Sequence, residues 1–214
     1  MNDTPPAAEP GFGDAQRASS YVKAGLILAT LTLFVSEHLV HYALGLMAVL
    51  GVLDAVRHPA ALRTWRTRQL LLLFALLWLP MMIASVNAVA PAHTWRTVLP
   101  YLHLLPASYF VMRACADVDV QRLVTVGAAV LVAFVVLDAF VQLLWHRDLF
   151  GYPYDRNVLK GVFYPKQRLG LVLAVFAPLY LDGVLRGCRR YPWLWLLLLP
   201  MVVIILVSLK RSAW

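Results

Sequence analysis

Val120-Gln121-Arg122-Leu123-Val124-Thr125-Val126-Gly127-Ala128-Ala129-Val130-Leu131-Val132-Ala133-Phe134-Val135-Val136-Leu137-Asp138-Ala139-Phe140-Val141-Gln142-Leu143-Leu144-Trp145 is an apolar run whose charges are Arg122 near its start and Asp138. About 20 helical residues cross the ~30 Å hydrocarbon core of a bilayer, so this run is long enough to span one. Lipid offers the backbone no hydrogen bonds, and a helix satisfies its own. Six further stretches have the same character, near 21–36, 39–56, 69–89, 97–113, 168–186 and 191–210. Pro100 and Pro106 predict a kink or break in the fourth segment along the chain, where neighbouring helices can re-satisfy the freed groups.

Composition agrees: 61% of the 214 residues are hydrophobic, only 14% are charged, and mean hydropathy is +0.71. A soluble domain of this size does not have those values. The chain is expected to be an all-α polytopic membrane protein. Residues 1–20, rich in Ala, Pro and small polar groups, lack the basic start and cleavage pattern of a secretory signal. They are expected to form a disordered cytoplasmic tail before an uncleaved first helix. Cys115 and Cys188 fall in short polar connections assigned to the reducing side, where disulfides are rare.

Orientation follows from Lys and Arg, which short loops retain on the cytoplasmic side. Arg17 and Lys23, then Arg57, Arg63, Arg66 and Arg68, then Arg113 and Arg122, then Arg186, Arg189 and Arg190 collect at alternate ends of the segments. That puts the amino terminus inside and residues 21–146 in the first five helices. The connection 147–168 is then external, with helices six and seven in 169–214.

This outer connection breaks the charge rule. Arg147, Arg156, Lys160, Lys166 and Arg168 stand against Asp148 and Asp155, five cations to two acids. One reading is a solvated loop anchored by Tyr152, Tyr154 and Tyr164 at headgroup level. The other is a phosphate site, because arginine grips phosphate oxygens with two parallel bonds and lysine adds a point charge. The amino-terminal amides of the helix beginning near Arg168 would add partial positive charge. Arg211 falls at the outer end of the last segment. A charged side chain within hydrocarbon costs about 2.5–3.5 kcal/mol by insertion scales, and so marks a pathway, a pair or a ligand.

Other polar residues divide between structure and chemistry. Asp138, Gln142 and His146 recur every four residues and climb toward the basic connection, positioned to orient its cations or a sugar, or to bond between helices. Glu37, His38 and His41 cluster at an outer turn without the ligand spacing of a metal site. His103, between two prolines, reads as a buried hydrogen-bonding group. Asp54 with Arg57 and His58, and Asp182 with Arg186, match helical ion pairs at inner ends. The tryptophans at 65, 78, 95, 145, 193 and 195 suit interfacial belts or packing.

Two patches carry a family resemblance. Gly161-x-Phe163, then Arg168-Leu169-Gly170 and Pro178, and after them Arg211-Ser212-Ala213-Trp214 together resemble the bacterial O-antigen ligases of the O-antigen ligase and polymerase superfamily. Lys210 stands where that family usually has serine, and Lys166-Gln167-Arg168 where many members have a Pro-Asn type sequence. The resemblance implies a GT-C-like fold of about twelve membrane helices, of which this chain would hold about seven and the start of the shared region. It implies transfer of a glycan from undecaprenyl diphosphate to lipid A core at the periplasmic face of the bacterial inner membrane. It implies no metal, cofactor or nucleic acid.

Side chains would then neutralise the leaving diphosphate. Arg211 is the first candidate, with Arg168, Lys166, Lys160 and Arg156 beside it, and Asp138, Gln142 and His146 in support. The family's histidine base would lie beyond Trp214, so the chain by itself is expected to be inactive. An O-antigen polymerase or a protein O-oligosaccharyltransferase of the same superfamily remains open. So do a lipid-linked glycan flippase or exporter and a non-catalytic scaffold.

Overall fold

The computed structural model describes residues 12–33, 37–86, 88, 91–154, 159–163 and 168–207. Among them are eight α-helices, four short 3-10 helices and no strand. The chain divides into two compact units, 1–121 and 122–214.

The first unit contains α1 (Phe12–Leu33), α2 (Glu37–Arg57), α3 (Trp65–Val86), α4 (Pro91–Val98) and α5 (Leu104–Ala114). The α1 helix begins at Phe12, before the boundary expected at residue 21. Ser20 is buried and donates its hydroxyl to Asp117 Oδ2 at 2.6 Å, which ties this extra stretch to the turn after α5. That bond, followed by the Asp119 amide, holds the Asp117 carboxyl below its ordinary range by favouring the charged form. Residues 1–11 lie outside the described residues.

The α2 helix packs most extensively against α5. A Cβ on Gly51 would collide with the Pro106 carbonyl, so the glycine permits this close backbone approach. The break expected at Pro100 is a 3-10 stretch, Leu99–His103, between α4 and α5. His103 Nδ1 bonds the Pro100 carbonyl, and its ring stands edge-on to His41 with centroids 6.4 Å apart. The Trp78 indole donates to Val98 O at 3.2 Å and so joins α3 to α4.

The second unit contains most of α6 (Val118–Trp145), followed by α7 (Leu169–Cys188) and α8 (Leu198–Val207). Its core joins Val132, Val136 and Ala139 of α6 to Leu169, Leu173 and Val184 of α7 and to Met201 and Ile204 of α8. A Cβ on Gly183 would come within 2.9 Å of the Ala129 side chain, so small residues again set a helix contact.

Leu39–Arg57, Trp65–Val86 and Val118–Trp145 are long and apolar enough to cross a membrane, as an all-α membrane protein requires. In α3 only 6% of the most hydropathic window is buried. Leu72, Leu76, Leu77 and Ile83 are all exposed, and a helix that is apolar all round needs apolar surroundings. The last expected segment begins as a 3-10 helix, Pro192–Leu197, before α8.

Candidate functional site

The connection after α6 is folded rather than loose. His146, expected on the face of Asp138 and Gln142, leaves the helix at φ 59°. This left-handed backbone ends α6 and turns the chain back. The His146 side chain is exposed, with its ring edge-on to Tyr154 at 5.6 Å, and its carbonyl accepts the Tyr154 N–H at 2.9 Å.

A short loop lies within that closure. The Asp148 N–H donates to Tyr152 O at 3.0 Å, and the Gly151 N–H donates to Asp148 O at 3.1 Å. Asp148 Oδ1 accepts the N–H groups of Phe150 and Tyr152 at 3.0 and 2.7 Å. A carboxylate that bonds amides two and four residues ahead imposes the turn locally, and Gly151 supplies φ 85°.

Two fully buried residues of α6 bind this loop. Asp138 Oδ1 accepts the Leu149 N–H at 3.0 Å. Gln142 Nε2 donates to Tyr152 O and Pro153 O at 3.4 and 3.3 Å, while its Oε1 accepts the N–H groups of Lys160 and Gly161 at 3.1 and 2.9 Å. The amide orientation follows from its partners, because only the NH₂ group can face carbonyls and only the oxygen can face amides. Gln142 thus bridges the early and late parts of the connection. Among the described residues it bonds loop backbone, not a neighbouring helix and not a guanidinium.

The late part is anchored by packing as well. Leu159, Val162 and Phe163 are buried in the core of α6, α7 and α8. Gly161 has φ 51°, and a Cβ there would stand 3.1 Å from Asp138 Oδ2. Lys160 is buried at 7% exposure, whereas Arg168, at the N-cap of α7, is exposed.

The structure therefore brings Asp138, Gln142 and the Lys160 backbone together and places Arg168 at a helix start. Arg156, Lys166 and Arg211 lie outside the described residues. Asp148 was not singled out from the sequence as a structural residue, although Asp148-x-x-Gly151 is a turn pattern. Asp138 and Asp148 also bring carboxyl groups to this connection. Each has one buried carboxylate oxygen with no hydrogen-bond partner among the described residues.

At the other named positions, Asp182 pairs with Arg186 at 2.9 Å, as expected. Asp54 pairs with His58 at 3.1 Å but otherwise with Arg113 at 3.0 Å, not with Arg57. Arg113, far off in sequence, reaches it because α5 packs on α2. Glu37 and His38 side chains lie outside the described residues. Cys115 and Cys188 are free thiols, and burial pushes the Cys115 thiol up.

Comparison of the chain with protein-family models, with curated proteins and with solved structures returned no match.

Proposed function

We propose that the chain belongs to a membrane protein that handles a lipid-linked diphosphate, with the basic connection 147–168 as the anion-binding element. More particularly, it is an O-antigen ligase, a GT-C-like glycosyltransferase of about twelve helices that moves a glycan from undecaprenyl diphosphate to lipid A core. The observation that carries the reading is Gln142, whose buried side chain makes four hydrogen bonds to the backbone of this connection. A loop that merely floats at headgroup level needs no such anchor. A loop that presents charge to a substrate gains from fixed geometry, because preorganised groups need not reorganise as charge develops.

In this reading Arg211 contacts the diphosphate, assisted by Arg168, Lys166, Lys160 and Arg156. The chemistry is glycosyl transfer: the acceptor sugar oxygen forms a bond to the anomeric carbon as the bond to undecaprenyl diphosphate breaks. The acceptor proton passes to a histidine base, and the diphosphate leaves with its charge neutralised by these cations. Asp138 and Gln142 act as positioning residues, through the backbone at 149, 152, 153, 160 and 161.

The test is Arg211→Ala in the host membrane, reading glycan polymer joined to lipid A core together with membrane abundance. Loss of transfer at normal abundance, by about 100-fold or more as for other groups that stabilise transition-state charge, is expected. Normal transfer at normal abundance removes Arg211 from the site.

A further inference from the structure

A second charged centre lies in the first unit. A cavity of about 200 Å³ is lined by Lys23 of α1, Asp54 and Arg57 of α2, His58 after it, and Arg113 of α5. Asp54 is committed on both oxygens, Oδ1 to His58 and Oδ2 to Arg113 Nε. Lys23 and Arg57 form no ion pair among the described residues, although Lys23 helps to hold Asp117 ionised. Three cations, Lys23, Arg57 and Arg113, thus stand against the single carboxylate of Asp54 on the lining.

Retention of positive charge on one side of a membrane explains cations at these helix ends. It does not explain why three helices send one each into the same small cavity. Nor do the helix ends explain their number, since α2 and α5 both finish here and their carboxy-terminal dipoles offset only part of the charge. The rest of the wall includes Leu50, Leu53 and Phe110, so the cations stand at a boundary with apolar surface. A fully hydrated anion has no use for that surface, whereas a phospholipid carries its phosphate at the same kind of boundary.

We propose that this cavity binds the phosphate group of an anionic phospholipid, with Lys23, Arg57 and Arg113 as the phosphate-binding cations and Asp54 orienting Arg113. Basic pockets between membrane helices recognise such headgroups, and guanidinium donors suit phosphate oxygens. The proposal is independent of the glycosyltransferase reading, because every residue in it belongs to the first unit.

The experiment uses the chain in phosphatidylcholine nanodiscs with and without phosphatidylglycerol, counting retained lipids by native mass spectrometry. The Lys23→Ala, Arg57→Ala double variant is expected to retain less phosphatidylglycerol, by about fivefold for each cation removed. The Arg63→Ala, Arg66→Ala control removes two neighbouring exposed cations that do not line the cavity, and is expected to retain wild-type amounts. Equal losses in both variants would reduce the effect to general surface charge and overturn the proposal. The charge-conserving Lys23→Arg, Arg57→Lys variant keeps retention if the cavity reads charge, and loss there as well overturns it. Inorganic phosphate added to the loaded sample distinguishes the source of the anion. Undisturbed phosphatidylglycerol supports the lipid assignment, and displacement by millimolar phosphate overturns it in favour of a soluble anion.

Discussion

At the scale of single residues, Gln142 of α6 makes four hydrogen bonds to the backbone of the basic connection. Replacing it with Leu leaves the buried amides of Lys160 and Gly161 without their acceptor and removes a donor from the Pro153 carbonyl, while Tyr152 O keeps the Asp148 N–H. Each buried polar group left unsatisfied costs about 1–3 kcal/mol, so Gln142→Leu is expected to destabilise the second unit by about 3 kcal/mol or more. Limited proteolysis in detergent is the check, with faster cleavage between residues 147 and 163 as the expected outcome. An unchanged cleavage rate would remove Gln142 as the anchor. The spacing of Asp138 and Gln142 was legible in the sequence, because four residues return to one helix face. Their partners were not, since backbone groups at 149, 152, 160 and 161 leave no mark on residue type. His146 misled for a related reason: periodicity continues across a helix end, but a left-handed φ of 59° does not appear in it.

At the scale of elements, the two glycines Gly45 and Gly51 of α2 separate propensity from packing. Gly45 has nothing within 4 Å of a Cβ built on it, while Gly51 faces the Pro106 backbone. Gly51→Val is expected to force α2 from α5 and destabilise the first unit by about 1–3 kcal/mol, the usual cost of overpacking. Gly45→Ala is expected to be neutral or to stabilise by up to about 1 kcal/mol, because it removes conformational freedom from the unfolded chain and clashes with nothing. Thermal unfolding of the two purified variants, side by side, checks both signs. Equal effects would mean that α2 and α5 do not approach through Gly51. The broken fourth segment was readable from Pro100, which lacks an N–H to donate. The pairing of Asp54 with Arg113 was not, because local i,i+3 and i,i+4 rules favour Arg57 and His58 and contain nothing about a helix 59 positions away.

At the scale of the whole molecule, the distribution of Lys and Arg makes a claim about sidedness that labelling can test. Lys23, Arg57 and Arg113, assigned to one side, do converge on one cavity. The α3 helix, exposed and apolar all round, separates Thr64 from His93. In a chain whose native cysteines are replaced by serine, Thr64→Cys and His93→Cys are therefore expected to label from opposite sides with a membrane-impermeant maleimide, His93→Cys from the outer one. Labelling of both from the same side would show that α3 does not cross.

The sequence by itself determined that this chain is helical and apolar, roughly where its apolar segments lie and where its charges gather. Helix formation in lipid is dictated locally, by the need to satisfy each backbone group within its own segment. Only the tertiary structure decided which charges from different helices meet. That choice rests on long-range packing: glycine lets α2 and α5 close on each other, and a buried amide draws a distant stretch of backbone onto α6. Contacts of this kind depend on shape and on backbone groups that every residue possesses, which is why the anchored basic connection and the cation-lined cavity emerge together with the fold.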